Sequence, residues 1–290
     1  MNFAAEYLAQ LEAFAARGPL PRIRALHLPP LQAVADNKGE FCALELDDGS
    51  LGLSYVLLDD TLARLRDAGD SIGLAGADAL TVARRYASAD FFARTVGFAA
   101  ANALTRCLFD RAGFRPDDSA DSIGQINPQP GERIGMIGLF RPLLGRILQS
   151  GASLTVVELK AELAGEGECA GEGYRVTLDA QELAECGKVV STSTLLLNDT
   201  LDRMLGCCRK ASWFAMVGPS AGCLPDALFA RGVTLLGGSW IRDRQGFIAA
   251  LESGASRSEF AGKFVLTADN YPGFAALLAH ACGTGAAHSH

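Results

Sequence analysis

The chain has 290 residues, of which 49% are hydrophobic and 20% are charged, and its formal net charge is −7 at pH 7. This composition excludes a disordered or collagen-like protein, and an acidic chain without a basic stripe is not expected to bind nucleic acid. No apolar run approaches the ~20 residues that span a bilayer, and Glu6 and Glu12 stand where a secretory signal would be basic. We therefore expect a cytoplasmic protein without nucleic-acid or membrane partners.

The first part of the chain predicts a small α+β domain. A helix over residues 3–16 is followed by candidate strands at 22–28 and 41–46. Asp48-Gly49 is a hairpin signal, and residues 51–57 then alternate as a half-buried strand does. Helices are predicted next, including a long one from Asp90 whose Gly97 lets it pack closely against another element.

Pro, Asp, Ser and Gly dominate residues 113–132, which indicates a linker and gives domains at 1–118 and 119–290. Short apolar runs and helical segments alternate beyond it. Strands are predicted at 133–137, 154–158, 188–191, 213–217 and 233–236, with helices between them, including one near 179–186. This alternation predicts a Rossmann-like, doubly wound and mainly parallel sheet, which binds ligands beyond the carboxyl ends of its strands.

The first strand of the second domain ends in Gly135-Met136-Ile137-Gly138, and Glu158 follows twenty residues after Gly138. In dinucleotide-binding folds, such glycines let the backbone approach the ligand, and an acid at this spacing accepts hydrogen bonds from ribose. The full glycine motif is missing, and Phe140, Arg141 and Pro142 occupy the start of the helix. The same residues would also suit a plain strand-to-helix turn, although Arg141 could meet an anionic ligand.

Later strands also end in small or polar residues. Thr192, Thr194 and Asn198 follow one strand, as either ligand contacts or helix caps. Gly218, Pro219 and Ser220 follow the next, and Gly237-Gly238-Ser239 is predicted as the turn after a third. Several such loops on one edge favour a pocket.

Eight cysteines occur without any C-x-x-C pair, so reduced thiols are expected and a closed zinc site is not. His280, Cys282, His288 and His290 cluster near the end of the sequence. These nitrogen and sulfur ligands suit Cu, Zn or Ni, although their spacing fits no standard site.

Residues 134–140, 191–200 and 217–220 resemble a bacterial and archaeal family named for heavy-metal chelation. Residues 40–53, together with Asn102, are similar to its first domain, so the resemblance covers nearly the whole chain. It implies an enolase N-terminal-like domain followed by a Rossmann-like domain, with a composite site between them. Arg141, and Cys223 in place of an expected proline, depart from the family pattern at the proposed pocket.

Three functions stay open on this basis. The first is a protein or enzyme that binds an adenosine-, pterin- or siderophore-like small molecule between its domains, with a link to transition-metal homeostasis. The second is a non-enzymatic metal binder or metallochaperone that uses Cys and His. The third is a sensor or scaffold without turnover. An adenosine-bearing ligand or a transition metal is the cofactor that these alternatives imply, and a homo-oligomer is compatible with each.

Overall fold

The computed structural model describes residues 2–34, 40–119, 124–158 and 173–283. Its first domain packs helices on a three-stranded antiparallel sheet of order β1-β2-β3. The elements are α1 Phe3–Ala15, β1 Ile23–His27, β2 Phe41–Leu46, β3 Leu51–Tyr55, α2 Thr61–Ala68, α3 Ala79–Ala83 and α4 Phe91–Arg111. The predicted hairpin is confirmed, because β2 and β3 pair on either side of Asp48-Gly49.

Helix α4 is the central element of this domain. Asp90 caps it by accepting a hydrogen bond from the Ala93 N–H. Every residue from 94 to 105 is buried, so the helix is covered on all sides. Gly97 permits the predicted close packing, because a Cβ there would collide with the backbone of Arg85 and Tyr86.

The second domain contains a seven-stranded sheet of order β10-β9-β8-β7-β4-β5-β6. All neighbours are parallel except β9 and β10, which are antiparallel. The elements are β4 Arg133–Ile137, α5 Arg141–Gln149, β5 Ser153–Val157, β6 Tyr174–Thr177, β7 Lys188–Thr192, α6 Leu201–Cys207, β8 Trp213–Val217, α7 Asp226–Phe229, β9 Leu235–Ile241, α8 Arg244–Ser253, β10 Ala261–Leu266 and α9 Phe274–Gly283. The strand order reverses between β4 and β7, which is where open α/β sheets bind ligands.

The helix predicted near 179–186 is present as the 3-10 helix Ala180–Glu185. One sequence prediction in this domain was wrong. Gly237, Gly238 and Ser239 do not form a turn but lie inside β9. The glycine at 238 is needed there because a Cβ would lie 2.6 Å from the ring of Phe264, its partner on β10.

The two domains share one core. The largest hydrophobic cluster contains Val96 and Phe98 of α4 together with Leu195, Phe214 and Met216 of the second domain. Helix α8 packs on the small sheet, where Glu252 Oε1 lies 2.7 Å from His27 Nδ1 and Glu45 Oε2 lies 3.1 Å from His27 Nε2. Within the described residues, no helix is both long and apolar enough to cross a membrane.

Candidate functional site

The loop after β4 approaches the end of β7 at the point where the strand order reverses. Gly138 has φ +81°, a conformation that favours glycine. A Cβ at Gly138 would also lie 3.1 Å from Thr192 Cγ2. Gly135, by contrast, is buried within β4, where it makes room for Leu183 rather than for a ligand.

Backbone donors at the start of α5 are occupied by the protein. The Leu139 N–H donates to the Glu158 carboxylate, and the Phe140 N–H faces Met136 Sδ at 3.4 Å. Pro142 contributes no N–H. Glu158 thus lies where the spacing predicted, but this loop offers few free donors to the pyrophosphate of a dinucleotide.

Polar side chains of the β7–α6 loop hydrogen-bond mainly to each other. The hydroxyls of Thr192 and Thr194 are 2.9 Å apart. Asn198 Oδ1 accepts from the Thr200 N–H at 3.3 Å and from its hydroxyl at 2.6 Å, just before α6. These contacts form a local turn before α6 and not a helix cap, because the N-cap residue Thr200 makes no side-chain cap hydrogen bond.

The first domain covers this loop. Arg94 donates to the Leu197 carbonyl at 2.9 Å and pairs with Asp199 at 2.5 Å. Tyr55, which ends β3, was not predicted as a site residue. Burial, with smaller contributions from the carboxylates of Glu40 and Glu158, raises the pKa of Tyr55 to about 12, so its phenol stays protonated and able to donate.

Asn102 links the two domains. Its Nδ2 donates to the Leu53 carbonyl at 2.8 Å and to the Ser220 carbonyl at 2.9 Å, and its Oδ1 accepts from the Tyr7 hydroxyl at 3.1 Å. The Ser220 hydroxyl lies 3.1 Å from that of Ser193, and both are buried. Sequence patterns gave no sign that Asn102 and Ser220 are cross-links.

A cavity of about 240 Å³ opens on one face of the sheet over β8, β9 and β10. Its lining includes three residues that the sequence had selected, Phe140, Gly218 and Pro219, together with Gly237 of β9. A smaller cavity of about 30 Å³ adjoins it through Pro219, Ser239 and Phe264 and reaches Asn102 in the first domain. The strand-end loops predicted from the sequence thus border both a cavity large enough for a ligand and the domain interface.

The thiols are dispersed in the core. Cys42, Cys107, Cys186, Cys207, Cys208 and Cys223 are buried and only Cys282 is exposed among the described cysteines. Burial raises the pKa of Cys42, Cys208 and Cys223 to about 12. Cys223 therefore belongs to the core and not to the pocket lining, and across the described ranges no three His, Cys, Asp or Glu side chains converge on a metal-sized site.

The structure does not bring together the two predicted metal ligands that lie within the described residues, His280 and Cys282. His280 and Cys282 lie two residues apart on α9, about 200° around the helix. His280 Nδ1 is 2.7 Å from the Ala276 carbonyl of its own helix. His288 and His290 lie outside the described residues. Arg141 is exposed at the start of α5 and is not part of the cavity lining.

Two family profiles that share the description "Putative heavy-metal chelation" match the chain, one over residues 121–268 and the other over residues 39–105. An uncharacterized protein of Methanocaldococcus jannaschii is 29% identical over 179 residues, or 60% of this chain. The match spans 65% of that protein, slightly less than two thirds of its length.

Crystal structures of two DUF364 family proteins of unknown function are similar to this chain. The protein from Desulfitobacterium hafniense is 19% identical with a TM-score of 0.65, and the protein from Pyrococcus horikoshii is 20% identical with a TM-score of 0.67. Both alignments cover 90% of this chain and 99% of the solved chain. At these identities the likeness shows the shared fold.

Proposed function

This chain belongs to the family described as "Putative heavy-metal chelation", and from that premise we propose that it binds a small, flat organic molecule at the carboxyl edge of its large sheet. In this proposal the bound molecule is the metal chelator or the precursor of one, and the thiols of the protein do not bind the metal.

The observation that carries this proposal is the cavity over β8, β9 and β10. Its volume of about 240 Å³ exceeds the ~150 Å³ of an apolar cavity that holds benzene, so one or two fused rings have room. Gly237 keeps the floor flat, since a Cβ there would lie 3.2 Å from Val217 Cγ1. Phe140 and Leu143 supply apolar surface from α5.

The hydrogen-bonding state of the neighbouring backbone N–H groups indicates which class of ligand the site suits. Since the N–H groups of Leu139 and Phe140 already have partners, the site suits the ring of an adenosine- or pterin-like molecule better than a pyrophosphate. Direct chelation by thiols is disfavoured, because metals bind the thiolate and burial favours the thiol.

Native mass spectrometry with elemental analysis, on protein purified without added metal or chelator, tests the proposal. We expect an organic molecule to co-purify with the parent protein. Gly237→Val should lose it, because the added side chain occupies the floor of the cavity. Gly187→Val is the matched control, since a Cβ at Gly187 meets nothing within 4 Å. Stoichiometric metal without any organic molecule would contradict the proposal.

Thiol labelling tests the same proposal from the protein side. Iodoacetamide at pH 8, followed by peptide mapping, should modify Cys282 and spare Cys42, Cys208 and Cys223. A thiol with a pKa of about 12 has on the order of 1,000-fold less thiolate than one at the ordinary ~8.5. Rapid labelling of the buried three in the folded protein would reopen the metal-binding alternative.

A further inference from the structure

The mouth of the cavity carries a cation opposite a hydroxyl. Lys263 of β10 pairs directly with Ser239 of β9 in the antiparallel register, and both side chains line the cavity. Directly opposed residues place their Cβ atoms ~5 Å apart on one face of a sheet. The ammonium and the hydroxyl can therefore reach one small group together.

Neither side chain stabilises the fold through a polar contact within the described residues. Among the residues that the structure describes, Lys263 has no ion-pair partner, and neither Lys263 nor Ser239 makes a side-chain hydrogen bond. Other basic side chains nearby are committed, as Arg242 is to Asp118 at 2.7 Å. Among the residues that the structure describes, no acidic side chain lines the cavity, although the chain has a net charge of −7. A cation beside an apolar space favours an anionic group on an apolar ligand.

We propose that the ligand of this cavity is a planar ring compound with a carboxylate, whose ring lies on Gly237 and Val217 and whose carboxylate meets Lys263 and Ser239. This rests on the proposed function and adds the ligand's charge and its orientation. The carboxylate accepts hydrogen bonds from the ammonium and from the hydroxyl, so its charge is met at the solvent-exposed mouth and the ring fills the apolar interior.

The probes are 2-naphthoate and its neutral amide, 2-naphthamide, which share two fused rings and differ in the charged group. Binding is measured by calorimetry on the full chain after removal of any co-purified molecule. We expect the parent protein to bind the acid about tenfold more tightly than the amide, the range that a hydrogen-bonded charge supplies. Lys263→Met should remove this preference and leave the affinity for the amide unchanged.

Lys210→Met is the matched control, because Lys210 pairs with Glu185 on the surface, and it should keep the preference. Equal binding of acid and amide to the parent, or an unchanged preference in Lys263→Met, would overturn the inference and leave the proposed function standing. If neither probe binds the parent, the inference is also overturned, while an organic molecule that co-purifies and is lost in Gly237→Val still supports the proposed function.

Discussion

Two polar regions border the same loop after β8 and are built in opposite ways. At the domain interface, Asn102 bonds Leu53, Ser220 and Tyr7, so each of its polar atoms has a protein partner. At the mouth of the cavity, the side chains of Lys263 and Ser239 have no such partner in the described part of the chain. The hydrogen bonds at the interface hold the domains together, whereas the polar groups at the cavity are available to a ligand.

The largest expected effect comes from breaking the interface. Asn102→Ala removes a donor from the buried Leu53 and Ser220 carbonyls, while the Tyr7 hydroxyl keeps its contact with the Thr105 hydroxyl. An unsatisfied buried group costs ~1–3 kcal/mol. We expect a loss of about 3 kcal/mol in the free energy of unfolding, measured in urea. Asn198→Ala is the control, with a loss of about 1 kcal/mol or less, since that side chain only caps a turn. Equal losses of unfolding free energy in the two variants would show that the hydrogen bonds of Asn102 contribute no more to stability than those of Asn198.

A smaller effect is expected at Glu40, a half-buried carboxyl of the first domain. Burial raises the pKa of Glu40 above its ordinary 4.5, against an opposing attraction from Arg257. Between 4.5 and the raised pKa, the folded protein holds more protons than the unfolded chain, so this group makes stability fall as pH rises through that window. Glu40→Gln should therefore be more stable than the parent at pH 7.

The test for Glu40 is the difference in unfolding free energy between the two proteins from pH 4 to pH 8. The advantage of Glu40→Gln should shrink as pH falls toward 4.5 and vanish below it. A constant difference across this range would show that the carboxyl is not penalised by burial.

The smallest effect is expected at the cavity. Lys263→Met and Ser239→Ala remove side chains without partners in the described structure, so each should change the free energy of unfolding by less than about 0.5 kcal/mol. Thermal unfolding in the absence of ligand measures this. A loss as large as that of Asn102→Ala would place these residues in the fold and not in a binding site.

The fold was largely predictable because its signals are local. The hairpin at Asp48-Gly49 and the alternation of strands and helices after residue 132 both follow from chain geometry. The glycine pair at 237 and 238 was misread as a turn, because its place in the middle of a strand depends on Phe264 across the sheet. No single-strand pattern contains that information.

The candidate site was predictable only in outline. Phe140, Gly218 and Pro219 line the cavity as a strand-end argument expects. Asn102 and Asn198 look equally suited to a ligand in the sequence, and only their partners show that one cross-links domains and the other stabilises a local turn. Lys263 was missed because β10 was not predicted, although the apolar run Phe264-Val265-Leu266 is typical of a buried strand.

The burial of α4 on every side has a consequence for the order of events during synthesis. The helix is complete at Arg111, before β4 begins at Arg133, so α4 leaves the ribosome before the strands of the large sheet do. Its contacts with Ser220, Trp240 and α9 must wait until more than one hundred further residues of chain have been added. The nascent first domain therefore carries an exposed apolar helix face, and the two halves of the protein reach their native state together.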